Sequence, residues 1–277
     1  AWYTCREEPG REVATVGARL RRNVETGAFH DRWDTPSMFW DAPDRNDHAS
    51  AMWCDESGTL WHFCGLSAAA TWGNLATVVR MSNDNGATWS PARFIIPDHG
   101  PRHMPITTVF RAQDGTIVLP CDAVTGGSGG TALWMSRDDG ATWYDAGGTI
   151  AGIHAAVAQL ADGTLMAFGR GDEVHGMMPM SLSRDMGATW SVQAGVFPPV
   201  HTGQRPVLLR LRTGELLFAG FSNDPDVEDD PHRPKDWMRI TDRTGASRPI
   251  RGLYCALSLD DGATWPFARP VSDDGPE

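Results

Sequence analysis

Apolar residues in this chain come in short runs, often alternating with polar ones and separated by Gly, Asp, Asn and Pro. A period of two over short runs predicts strands, and no ten-residue stretch carries the 3.6 period of an amphipathic helix. The segments ESGTLWHFCG, QDGTIVLPCD, ADGTLMAFGR and RTGELLFAGF each set a turn glycine (Gly58, Gly115, Gly163, Gly214) between two runs, which is the hairpin signal. The runs ahead of these turns span 48–54, 105–110, 154–160 and 205–211. A third run follows at 76–81, 132–135, 178–182 and 253–257, and a fourth follows that, as at 92–96. Each unit is therefore predicted to be four antiparallel strands.

Between the third and fourth runs an eight-residue pattern, S-x-D-x-G-x-T-W, occurs four times: SNDNGATW (82–89), SRDDGATW (136–143), SRDMGATW (183–190) and SLDDGATW (258–265). A weaker fifth copy, NVETGAFH (23–30), puts Glu25 and Gly27 at the Asp and Gly positions. The pattern is a turn recipe. The carboxylate accepts backbone N–H groups, Gly supplies a positive φ, Ser and Thr add bonds, and Trp packs between neighbouring units. A catalytic group is needed once and a scaffold turn in every unit, so Asp84, Asp138, Asp185 and Asp260 are read as staples. Four-stranded units repeated with one Trp motif each predict an all-β fold, a β-propeller of four-stranded antiparallel blades. Four complete blades are visible, with the outer strands of a preceding one in residues 1–44, in a single domain covering 1–277.

On these boxes, the chain resembles the Asp-box (BNR repeat) sialidase, or neuraminidase, superfamily over about residues 45–277. The resemblance implies six or seven blades, so the propeller is expected to be incomplete at one or both ends of this chain. It also implies exo-sialidase chemistry: hydrolysis of a terminal glycosidic bond of an anionic sugar by a Tyr nucleophile that a Glu activates. Three arginines would hold the sugar carboxylate. A secreted or periplasmic location follows from the same resemblance.

Two departures open other readings. No F/Y-R-I-P motif precedes the first box, and the tyrosines are Tyr3, Tyr144 and Tyr254, of which Tyr144 and Tyr254 are poorly placed for a central pocket. One alternative is a propeller polysaccharide lyase or α-L-rhamnosidase that uses a pocket histidine on a uronate-containing glycan. Another is a glycan-binding propeller without turnover.

Charge narrows the partners. A net charge of −11 argues against nucleic acid and anionic membranes, and no run is long and apolar enough for membrane insertion. Five cysteines have no metal-type spacing; Cys54 and Cys64 flank one hairpin and are the candidate disulfide. The partner expected is a glycan with an acidic sugar.

Strand alternation locates the site. The hairpin turns and the boxes share one end of each unit, so the other end is the functional face. There His48, His103, His154 and His201 fall at or before innermost strands, one per blade, and are expected to ring a central pocket. No cofactor is expected; a divalent metal in that histidine ring is the alternative. Arg102, Arg170 and Arg205 are the candidates for the carboxylate, and with His103, His154 and His201 form the substrate-binding set. Asp47 beside His48 is the favoured acid/base pair. Glu173 completes the catalytic set, and Asp122 and Asp172 lie on the same face. The long connection 222–252, with its DPDVEDD run, reads as a solvated loop, as a pocket rim offering Trp237, or as a calcium site.

Overall fold

The computed structural model describes residues 2–4, 13–68, 74–106, 108–122, 129–200, 204–222, 239–241, 246–249 and 252–271, with the backbone path alone at 2–4, 239–241 and 247–249. Every regular element among these residues is a strand.

The N-terminal strands β1 (Trp2–Thr4), β2 (Thr15–Gly17), β3 (Leu20–Arg22), β4 (Phe29–Trp33) and β5 (Ser37–Trp40) form two small sheets, β1-β2-β5 and β3-β4. The first repeat is β6 (Asn46–Cys54), β7 (Leu60–Ser67), β8 (Leu75–Ser82) and β9 (Arg93–Gly100), paired in that order. In the second repeat, β10 (Met104–Pro105) and β11 (Phe110–Arg111) both pair with β12 (Ile117–Asp122), followed by β13 (Thr131–Ser136) and β14 (Tyr144–Asp145). The third is β15 (Ile153–Gln159), β16 (Leu165–Arg170), β17 (Pro179–Ser183) and β18 (Ser191–Ala194). The fourth is β19 (Val207–Arg210), β20 (Leu216–Ser222), β23 (Gly252–Ser258) and β24 (Phe267–Pro270). The hairpin β21 (Arg239–Thr241) and β22 (Ser247–Pro249) lies between its second and third strands. All pairings are antiparallel. The innermost run of the second repeat, predicted as continuous over 105–110, is split into β10 and β11.

The boxes are built as their chemistry predicts. Ser136 Oγ donates to Asp138 Oδ1 (2.8 Å) and accepts the Gly140 N–H (2.7 Å). Asp138 accepts the Thr142 N–H (2.8 Å) and hydroxyl (2.6 Å). The residue before each box glycine also has positive φ, as at Asp139 (50°) and Met186 (54°), so each turn holds two left-handed residues in succession. Box tryptophans pack backwards onto the preceding sheet: Trp89 on Phe39 (5.4 Å between ring centroids), Trp143 on Phe63 (5.6 Å) and Trp265 on Phe197 (4.9 Å).

A second stitch runs the same way. Arg93 of the first repeat donates to the Gly140 carbonyl of the second box, and Arg19 donates to the Gly86 carbonyl of the first. Arg19, just ahead of β3, thus makes to the first box the contact that Arg93 makes to the second.

Two expectations are corrected. The turn at 23–28 is not a fifth box: Asn23 Oδ1 accepts the N–H groups of Glu25 (2.8 Å) and Thr26 (3.0 Å), so the Asn caps the β3-β4 hairpin and Glu25 contributes only its backbone. Cys54 and Cys64 do not pair. Cys54 lies opposite Leu60 and Cys64 opposite Ser50, and both thiols are free.

Candidate functional site

At the end opposite the boxes, the last residue of a second strand meets the first residues of the next innermost strand. Asp122 ends β12 and Arg170 ends β16, each seven residues past its turn glycine. His154 is the second residue of β15, which lies beside β12 on one side and β19 on the other. Arg205 precedes β19.

These residues form one cluster. The His154 Nδ1 faces Asp122 Oδ2 in contact, and the His154 backbone N–H donates to Asp122 Oδ1 (2.6 Å). The carboxylate is fully buried and the imidazole has about a tenth of its surface exposed. Thr131 Oγ1 lies 3.2 Å from Asp122 Oδ1 and accepts the Ala155 N–H (3.1 Å), fixing the pair from below. Burial lowers the His154 pKa; the Asp122 carboxylate opposes this, and the nearby Arg205 and Arg170 cations add to it. Arg170 is itself lowered, mainly by burial and further by Arg205, and donates to the Gln204 carbonyl (3.1 Å). An imidazole tied through Nδ1 to a carboxylate leaves Nε2 to accept or deliver a proton. Two guanidinium groups beside it suit a planar carboxylate.

The backbone explains why His154 reaches the carboxylate. It sits at positive φ (51°) in a bulge where the register jumps from Ile153–Arg170 to Ala156–Phe168. The first repeat has the same bulge, but there the residue at positive φ is Ala49 (58°) and His48 lies one position earlier. The two histidines that the sequence set in matching positions are therefore one residue out of register, and one residue turns a side chain to the other face.

The other candidates fall in three places. Asp47 and His48 are buried at the head of β6. Asp47 accepts the Ala42 N–H (2.8 Å), and burial, with Asp41 adding, pushes its carboxyl up to about 6. Glu173 is exposed on the loop after Arg170, whose tip is a tight turn with His175 and Gly176 both at positive φ.

Arg102 and His103 are held away from the cluster. Arg102 forms a bidentate pair with Asp145 (2.6 and 3.0 Å) and reaches Thr149 Oγ1 (2.9 Å) and the Gly148 carbonyl (2.8 Å). His103 directs Nδ1 at the carbonyls of Leu75 (3.0 Å) and Asp98 (2.7 Å), its ring edge-on to Trp134 at 5.2 Å. Both clamp the second repeat to itself and to the first. His201 and Trp237 lie outside the described residues. Among the described residues, no group of three or more His, Cys, Asp or Glu is placed to hold a metal ion, and no helix is long and apolar enough to cross a membrane.

Sequence reasoning gave Asp122 no partner, although its position seven past the turn glycine, shared with Arg170, was a usable signal. It also missed His62, which is buried, accepts Arg80 Nε at its Nδ1 (3.0 Å) and has its pKa pushed down to about 3 by burial. Arg80 lies against the faces of Phe39, Trp40 and Trp89 at 4.3–4.7 Å.

The repeat and its box turns now meet a direct match, the BNR repeat-like domain, over residues 18–268. The chain belongs to that family. No curated protein matches it. Among solved structures, a Dyadobacter fermentans protein of unknown function is similar over 96% of this chain and 74% of its own, at 15% identity and a TM-score of 0.61. A Streptococcus pneumoniae sialidase is similar over 98% of this chain and 58% of its own, at 11% identity and a TM-score of 0.60. A Trypanosoma rangeli sialidase bound to an inhibitor is similar over 91% and 43%, at 17% identity and a TM-score of 0.54. The chain thus spans about three fifths of the pneumococcal protein and less than half of the trypanosomal one. These likenesses establish a sialidase-like fold for the BNR repeats.

Proposed function

We propose that the four-stranded sheets are propeller blades and that the chain carries the site of a glycan-active enzyme, a glycosidase acting on an acidic sugar. The observation that supports this most is the Asp122–His154 pair flanked by Arg170 and Arg205, in a protein of net charge −11. Arg170 and Arg205 hold the sugar carboxylate. His154, oriented by Asp122, moves a proton at Nε2. Asp47, whose buried carboxyl is pushed up to about 6, is the donor assigned to the leaving-group oxygen, with His48 beside it. Glu173, on the loop next to Arg170, borders the sugar. Arg102 and His103 are left out of the set because their polar groups clamp the second repeat.

A second reading, β-elimination from a uronate, is favoured by the placement of Tyr144 and Tyr254, the two tyrosines whose side chains are described. A sialidase-type hydrolysis needs a tyrosine nucleophile, a known exception to the two-carboxylate scheme. Tyr254 is fully buried, with its phenol pushed far up by burial. Tyr144 lies on the outer strand β14, donating to the Met135 sulfur. In this reading His154 takes the proton beside the uronate carboxylate.

Product analysis on sialylated and glucuronate-containing glycans distinguishes the cases. A released acidic monosaccharide supports hydrolysis, and a product absorbing in the near ultraviolet supports elimination. Absence of both turnover and calorimetric binding for both glycan classes would remove the proposal.

A further inference from the structure

The bulge that carries His154 leaves two backbone donors without ladder partners. Ile153 pairs with Arg170 and Ala156 with Phe168, so His154 and Ala155 face Gly169 alone. Side chains of the neighbouring repeat take both N–H groups. Asp122 Oδ1 accepts that of His154 (2.6 Å), and Thr131 Oγ1 accepts that of Ala155 (3.1 Å). Asp122 and Thr131 are themselves register partners across β12 and β13, and both are fully buried. Together they cradle the bulge.

The Thr131 hydroxyl has one hydrogen and two acceptors within reach, Asp122 Oδ1 at 3.2 Å and the Gly152 carbonyl at 3.1 Å. The first repeat shows what such a threonine does with no carboxylate opposite. There Thr77, also fully buried, is the register partner of Gly65, which like Asp122 lies seven residues past its turn glycine. Thr77 donates to the His103 carbonyl (2.6 Å), just ahead of β10, as Gly152 is just ahead of β15. With Asp in place of Gly, an ionised acceptor competes for that hydrogen. In a buried site the charge-assisted bond is the stronger one.

We propose that Thr131 is a positioning residue for His154: its hydroxyl gives its hydrogen to Asp122 Oδ1, leaving Oδ2 for the ring Nδ1, and takes the Ala155 N–H, which fixes the bulge. Fully buried, the threonine acts only through Asp122 and the backbone, and its γ-methyl restricts the rotamer that points the hydroxyl. Its effect on turnover rests on the proposed function; its effect on the imidazole does not. The charged groups facing that imidazole are Asp122 at the end of β12, Arg170 at the end of β16 and Arg205 ahead of β19. With these three kept, removing the hydroxyl takes a donor from the carboxylate and strengthens its hold on a protonated ring.

Titration of the histidine Cε1–H NMR signals of the 277-residue chain tests this, with the His154 signal identified by its loss in His154→Gln. In Thr131→Val the His154 midpoint is expected to rise by roughly half a pH unit or more, with Thr131→Ser at the parental value. Thr77→Val, which removes the matching hydroxyl from the first repeat, is expected to leave the midpoint in place. On the glycan that the chain turns over, Thr131→Val should lower kcat by roughly tenfold with KM unchanged, and Thr131→Ser should restore it. Should Thr131→Val not fold, Thr131→Cys carries the same test with a weaker donor. A His154 midpoint that stays or falls in a folded Thr131→Val or Thr131→Cys variant overturns the inference, as does an equal rise in Thr77→Val. With no glycan turned over, the proposed function fails and the titration still decides the role of Thr131.

Discussion

Asp122 and His154 lie 32 residues apart on neighbouring sheets, and both carboxylate oxygens of Asp122 are taken by His154, one by its ring and one by its backbone N–H at 2.6 Å. The bulge that gives His154 its positive φ makes the double contact available. Bonding of this kind selects a tautomer, so the carboxylate's role is to position the imidazole. Asp122→Asn is expected to lower kcat by about 10²–10⁴-fold with little change in KM, and His154→Ala by at least as much. Steady-state kinetics on the responsive glycan checks this. Unchanged kcat in a folded His154→Ala variant would remove the histidine from the mechanism.

On the proposed function, the two arginines act on the substrate as well as on the histidine. Arg170→Ala is expected to weaken binding of an acidic sugar by about 2–5 kcal/mol, as for loss of a desolvated charge partner. A neutral sugar of the same size should be affected much less. Arg205 and Arg170 also depress His154, so removing either cation should move the acidic limb of the rate profile to higher pH. Calorimetry and a pH–rate profile read the two effects separately. An acidic limb that stays put or moves down would contradict the electrostatic assignment.

Asp47 makes a pH prediction of opposite form to that of an ordinary carboxylate. Its folded pKa is raised to about 6, above the unfolded value near 3.8, because burial penalises the charged form. Its contribution to stability is therefore fully present below the unfolded value and is lost as pH rises through about 6. Asp47→Asn keeps an oxygen for the Ala42 N–H and carries no charge to desolvate. The variant should show a flatter dependence of melting temperature on pH between about 4 and 7. A dependence parallel to the parent's would mean that Asp47 is solvated in the fold.

How much was legible follows from what repeats. The boxes and turn glycines recur, so strand count and strand order within each sheet could be read from spacing. Asp138 as a staple and Arg170 at a strand end needed nothing more. What stayed hidden depends on single-residue register. His48 and His154 each open an innermost strand and look equivalent, but His48 lies ten residues before Gly58 and His154 nine before Gly163, so it is Ala49 that takes the positive-φ position of His154. Arg102 looked like a cation awaiting a substrate because its partner Asp145 is 43 residues away. The second-strand end pairs Asp122 with the next repeat's histidine, a relation across sheets that alternation along one strand does not reveal.

The boxes give the last prediction, and its sign differs from that of Asp47. Asp84, Asp138 and Asp185 are lowered to about 2, first by the Thr hydroxyl in each box and then by the Thr backbone N–H and the Ser hydroxyl. Asp260 is lowered by the same partners. A depressed carboxylate contributes stability that is present above the unfolded value near 3.8 and is lost as pH falls through the folded one. Because four boxes titrate together, unfolding should become steeply pH-dependent between about 4 and 2. Asp138→Asn keeps one acceptor for the Thr142 N–H but loses the charge, so it should lower the melting temperature at pH 7 by a few degrees and reduce the acid slope. The contrast with Asp122 is the decisive part. Asp138→Asn should leave glycan affinity of the folded protein unchanged, because the box lies at the far end of the sheet from His154. Thermal melts from pH 2 to 7 with parallel binding measurements test it, and lost affinity with an unaltered melt would show that the boxes are more than staples.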